Sequence, residues 1–125
     1  MNRILIVAAL AASASVARAQ AVTVTLSEFK LALGRDTVLA GSVTFRVKNS
    51  GKMNHAFYVR GPGVEKGSRE ISAGQEAPLT LTLKPGTYEV FCPVSDLSHK
   101  MAGMSGTLVV TPADKPAVPK KKPDA

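Results

Sequence analysis

The 125 residues carry 16 Lys and Arg against 9 Asp and Glu, a formal charge of +7, with 45% hydrophobic residues and a single cysteine. That length suits one small domain, the lone cysteine excludes an intramolecular disulfide framework, and two Tyr and four Phe without an interleaved basic stripe argue against a nucleic-acid surface. The charge is concentrated at the ends: without Arg3, Arg18 and the four Lys and two Asp that follow Thr111, about +3 remains for residues 20–111.

The chain opens with a basic start, an apolar stretch from Ile4 to Leu10 and the small-residue pattern Ala17-Arg18-Ala19 ahead of Gln20. This reads as a secretory signal peptide over residues 1–19, too short in its apolar part to span a bilayer, and it implies an exported, periplasmic protein with no membrane span. Val22, Val24 and Leu26 then alternate with polar residues, as do Val43, Phe45 and Val47, and Leu79, Leu81 and Leu83. Each set predicts a strand with one buried face. Further strands are expected at Ala56–Arg60, Thr87–Phe91 and Thr107–Thr111, bounded by turn signals such as Gly61-Pro62-Gly63 and Pro85-Gly86. The segment Phe29–Leu33 fits a strand or a helical turn equally. Six or more short half-buried strands predict an all-β fold, an antiparallel β-sandwich in one domain over residues 20–111. From Pro112 the chain is dominated by Pro and Lys and is expected to be a disordered tail.

The chemistry is concentrated in a few positions. The only cysteine, Cys92, and both histidines, His55 and His99, occur with Met104 in a set of one thiolate, two imidazoles and a thioether. Thiolate and thioether suit Cu(I), and imidazole accepts either oxidation state, so this mixture is the donor set of a blue-copper electron-transfer site. Strand periodicity points Tyr88, Val90 and Cys92 to one face and His55, Phe57 and Val59 to one face, so both reach the same interior. His99 and Met104 lie on the loop that leaves Cys92 and returns through Gly103 and Gly106. Zinc is the poorer fit, because a thioether is a poor zinc ligand. A Cys–His nucleophilic enzyme lacks a recognisable orienting group. A copper oxidase or nitrite reductase needs further histidines, and none are left over, so the chain is not expected to be an enzyme.

Three stretches together resemble the cupredoxins, the small blue-copper proteins that include plastocyanins, azurins and pseudoazurins: Asn54-His55-Ala-Phe-Tyr-Val, Gly86-Thr-Tyr-Glu-Val-Phe-Cys92-Pro, and His99-Lys-Met-Ala-Gly-Met104-Ser-Gly. The resemblance covers residues 22–111 and implies a Greek-key sandwich with one copper ion, in which His55, Cys92 and His99 are trigonal ligands and Met104 is the long axial one. It favours Met104 over Met101, since four residues separate Met104 from His99 and Gly103 supplies the turn. Two departures stand out. Six residues separate Cys92 from His99, a longer loop than in plastocyanin-like members, and Ala56 follows the first histidine where many cupredoxins place an Asn.

The expected function is a monomeric one-electron carrier that docks transiently with redox partner proteins. Its His99 edge would be exposed, within an apolar rim of Pro93, Leu97, Met101 and Ala102. The alternative is a copper-binding protein for storage, delivery or resistance on the same fold.

Overall fold

The structure is a computed structural model that describes residues 20–95 and 97–113, so the expected signal peptide and all but the first two residues of the expected tail lie outside the described residues. Among the described residues, no helix is long and apolar enough to cross a membrane.

Among the described residues, nine strands and one short helix follow in the order β1 (Gln20–Ser27), β2 (Lys30–Leu33), β3 (Thr37–Leu39), β4 (Gly41–Asn49), β5 (Tyr58–Gly61), β6 (Val64–Gly67), β7 (Glu76–Leu83), β8 (Gly86–Phe91), α1 (Ser98–Met101) and β9 (Ser105–Thr111). They form a sandwich of two sheets, one ordered β2-β1-β4-β7 and the other β3-β9-β8-β5-β6. The ambiguous segment after Phe29 is a strand, paired with β1 across a two-residue turn. Strands β3 and β6 carry no alternating pattern of their own; β3 borders the longer β9, and β6 is the return arm of a hairpin with β5.

The all-β sandwich is as expected, but its sheets are mixed. β1 runs parallel to β4 and β3 runs parallel to β9, whereas β1–β2 and β5–β6 are antiparallel hairpins and β8–β9 pair antiparallel across the loop that carries α1. A hairpin fixes its strands antiparallel, but β4 reaches β1 only after the chain has passed through the other sheet in β3. Its direction there is set by that crossover.

Alternation produces the core. Val22, Val24 and Leu26 of β1, Val43, Phe45 and Val47 of β4, and Tyr88 and Val90 of β8 all point between the sheets and are buried. The Phe45 and Phe57 rings pack against each other at a tilt of 46°, with centroids 5.1 Å apart. Tyr88 keeps its hydroxyl satisfied there by donating to the Lys84 carbonyl at 2.7 Å and accepting the Lys84 N–H at 3.0 Å, which ties the β7–β8 turn to the core. Phe45→Ala should destabilise the metal-free protein by about 3–5 kcal/mol in urea unfolding. Val109→Ala, on the outer face of β9, should stay within about 0.5 kcal/mol.

Candidate metal centre

The inward faces of the strands turn polar at one end of the sandwich. Beyond Tyr88 and Val90 the period of two reaches Cys92, one residue past the end of β8, and its side chain is fully buried. His55 precedes β5 and is fixed by an isolated bridge to Ile71, with its N–H donating to the Ile71 carbonyl at 3.0 Å and its carbonyl accepting the Ile71 N–H at 2.7 Å. It too is fully buried, and Phe57 and Val59 share its inward face as expected.

The loop after Cys92 is shaped by backbone hydrogen bonds. Ser95 and Leu97 adopt positive φ of 58° and 68°, α1 supplies a single turn, and the Met104 N–H donates to the His99 carbonyl at 3.0 Å. Four residues do not hold a helix by themselves. Lys100 pins α1 to the outer face of β8, its ammonium 2.7 Å from Glu89 Oε1 and 4.5 Å from the centre of the Phe91 ring. The loop thereby delivers His99 to the interior, and the Cys92 N–H closes it by donating to the Met104 carbonyl at 3.0 Å.

Three donor atoms converge. His55 Nδ1 and His99 Nδ1 are 3.2 Å apart, and Cys92 Sγ lies 4.0 Å from the first and 3.8 Å from the second. A point equidistant from all three lies about 2.1 Å from each, which is a metal–ligand bond length for nitrogen and close to one for sulfur. Among the described residues these three form the one cluster of its kind. The Ala56 N–H also donates to Cys92 Sγ at 3.4 Å. Met104 is fully buried beside Cys92, whereas Met101 is 87% exposed. A soft thiolate, two imidazoles and a buried thioether-bearing residue fit a single type 1 copper ion.

One expectation is overturned. His99 presents no exposed edge, because only 2% of its surface is accessible. The ring of Phe29, from the β1–β2 turn, packs edge-on against the imidazole with centroids 5.9 Å apart and planes at 88°.

Sequence reasoning also missed the residues that hold the ligands from behind. Asn49 continues the inward face of Val43, Phe45 and Val47, and that extended period of two was a readable signal. Buried there, its amide donates to the carbonyls of Met53 at 2.7 Å and Ile71 at 2.8 Å and accepts the Gly51 N–H at 2.9 Å. It thus ties the strand to the loop ahead of His55, although no Asn follows the histidine. Glu28 had no such signal. Its Oε1 accepts the Met53 N–H at 2.7 Å and also the Lys52 N–H, and it lies 3.5 Å from His55 Nε2. That nitrogen is buried without an aligned hydrogen-bond partner, so the carboxylate is its nearest polar neighbour. Gly51 makes room for the arrangement, since a Cβ there would come 2.5 Å from Glu28 Oε1.

These contacts shift both groups. The Met53 N–H, helped by the Lys52 N–H and by His55, holds the Glu28 carboxyl down to about 2 against the opposing effect of desolvation. Burial pushes the His55 imidazole below its ordinary value, with the nearby Glu28 resisting and His99 reinforcing the shift.

Comparison with known proteins agrees with this geometry. The family model for the cupredoxin-like domain matches residues 2–110, and the chain belongs to that family. Among solved structures, auracyanin from Roseiflexus castenholzii, solved in its dithionite-reduced form, is 20% identical with a TM-score of 0.63, over 74% of this chain and 98% of that one. Auracyanin A of Chloroflexus aurantiacus, a "blue" copper protein, is 19% identical with a TM-score of 0.58, over 74% and 99%. A blue copper oxidase from Nitrosomonas europaea is 18% identical with a TM-score of 0.60, over 80% of this chain but 41% of the oxidase. At these identities the likeness is one of fold. No curated protein sequence matches the chain.

Two outcomes test the site's supports. Asn49→Ala, which leaves the Met53 carbonyl and the Gly51 N–H without this partner and removes one of two donors to the Ile71 carbonyl, should lower the stability of the metal-free protein by about 1–3 kcal/mol in urea unfolding, with greater hydrogen exchange across residues 50–55. The metal-free protein should also melt at progressively lower temperature as the pH falls. Below 6.5 the unfolded chain takes up a proton at His55 that the folded form resists, and from 4.5 toward about 2 the unfolded chain protonates Glu28 while the folded form keeps it ionised. Glu28→Gln should flatten the second limb and deepen the first, because the carboxylate no longer resists the shift at His55.

Proposed function

We propose that the chain is an exported, mononuclear type 1 copper protein that carries single electrons between partner proteins. In this reading His55, Cys92 and His99 are the trigonal ligands and Met104 is the axial ligand. The observation that carries it is the meeting of three buried donor atoms at a common distance of about 2.1 Å. Met104 is favoured by its burial, and the 87% exposure of Met101 argues against an interior role for that residue.

Bound copper would supply a one-electron couple. The protein's part is to keep the donors in place through both oxidation states. Cys92 and Met104 share a backbone hydrogen bond, His55 is bridged to Ile71, and the His99 loop is anchored by Lys100, so little rearrangement accompanies gain or loss of an electron. The Ala56 N–H on the Cys92 sulfur and the thioether of Met104 would tune the potential.

Met53, Leu97, Met101 and Phe29 are exposed apolar side chains on the loops at this end of the sandwich. They suit brief apolar docking of a redox partner, which has to separate quickly after transfer. The domain extends over residues 20–111 in this reading, a monomer released by cleavage of residues 1–19 into the periplasm. A second reading, copper storage or delivery, is favoured by the burial of His99, which denies a partner direct contact with that ligand.

Loaded with Cu(II), the protein should show an intense blue thiolate-to-copper band and narrow hyperfine splitting in its paramagnetic resonance spectrum. Cys92→Ser should abolish the band, Met104→Ala should shift it, and Met101→Ala should leave it unchanged. A pale tetragonal spectrum, or reduction to colourless Cu(I) without electron self-exchange, would sink the carrier reading in favour of copper holding.

A further inference from the structure

Phe29 is doubly out of place for a turn residue. It is the second of the two residues joining Ser27 to Lys30, with φ at 60°, a left-handed conformation suited to Gly or Asn and an outlier for a bulky side chain. It is also 52% exposed, so its aromatic ring is not there to fill the core. Chain reversal alone requires neither the strain nor the ring.

Both are accounted for by what the turn touches. The Phe29 ring meets the His99 imidazole edge-on, and the Phe29 carbonyl oxygen sits above Gly103, where a Cβ would approach to 3.1 Å. Gly103 itself has a φ of 120°. The turn is therefore seated on the ligand loop by side chain and backbone together. On its other side, Glu28 grips the loop ahead of His55 through the Lys52 and Met53 N–H groups. Strain held in a turn by contacts on both sides marks a positioning element.

We propose that Phe29 is a lid on His99. It keeps the imidazole turned toward Cys92 and His55, excludes water from it, and offers its own ring as the surface a redox partner meets in place of a bare imidazole edge. The inference rests on His99 being a copper ligand. A dry, apolar cover disfavours the more highly charged oxidised state of the site, so the lid raises the reduction potential.

Carbethoxylation of histidines by diethyl pyrocarbonate in the metal-free protein, followed by peptide mass spectrometry, tests the lid without copper. Phe29→Ala should speed modification of His99 at least tenfold and leave His55, which is fully buried, unchanged. Phe29→Leu should restore most of the protection. Phe29→Gly suits φ of 60° and should melt no lower than Phe29→Ala while still exposing His99, which separates loss of the lid from loss of folding. In the copper-loaded protein, Phe29→Ala should lower the reduction potential and Phe29→Leu should fall between it and the unsubstituted protein. An unchanged His99 rate in Phe29→Ala, or an equal rise at both histidines, overturns the lid. Faster His99 modification in a protein that gives no blue spectrum would keep the lid and sink the copper reading instead.

Discussion

Two imidazoles and a thiol are buried together at one end of an apolar core, all within 4.0 Å of one another. Polar groups placed there without partners are destabilising, and a second histidine nitrogen 3.2 Å away adds to the cost of charging the buried His55 ring. A metal ion resolves both problems, because it accepts the lone pairs that face one another and needs the neutral imidazole that burial already favours at His55. The strand register, the loop path and the outer supports of this structure all serve to hold that arrangement together.

The supports come from both sheets. Asn49 and the Glu28–Phe29 turn belong to the sheet β2-β1-β4-β7, while Cys92, α1 and the Lys100 anchor belong to the chain of the sheet β3-β9-β8-β5-β6. His55 lies on the crossover between them. The site is thus a joint between two layers, and a donor from either side is placed only when the layers are packed. That division explains how the donors stay fixed although none of them sits within a regular strand. The loop carrying His99 is shaped by its own backbone hydrogen bonds and is seated on the sandwich through Glu89, Phe91 and Phe29.

Much of this was legible beforehand. Alternation placed β1, β4, β7, β8 and β9 close to where they lie, and the period of two along Tyr88, Val90 and Cys92 sent the thiol inward. The same rule would have read Asn49 as buried, had the period after Val47 been followed one step further. The β3 and β6 strands were not legible, because three- and four-residue edges have too few positions to display a period. Nor was the parallel pairing of β1 with β4, since local pattern carries no information on which way a returning strand runs.

By itself the sequence determined the donor chemistry, a lone thiolate with two imidazoles and nearby thioethers, together with the two-sided strands that make a sandwich. Both follow from residue type and short-range spacing. Only the tertiary structure decided that His99 is covered, that Phe29 covers it, that Glu28 stands behind His55, and that Met101 faces solvent while Met104 is interior. Those facts depend on contacts between segments far apart in the chain, where packing of one loop against another, and not the periodicity of either, fixes which side chain meets which.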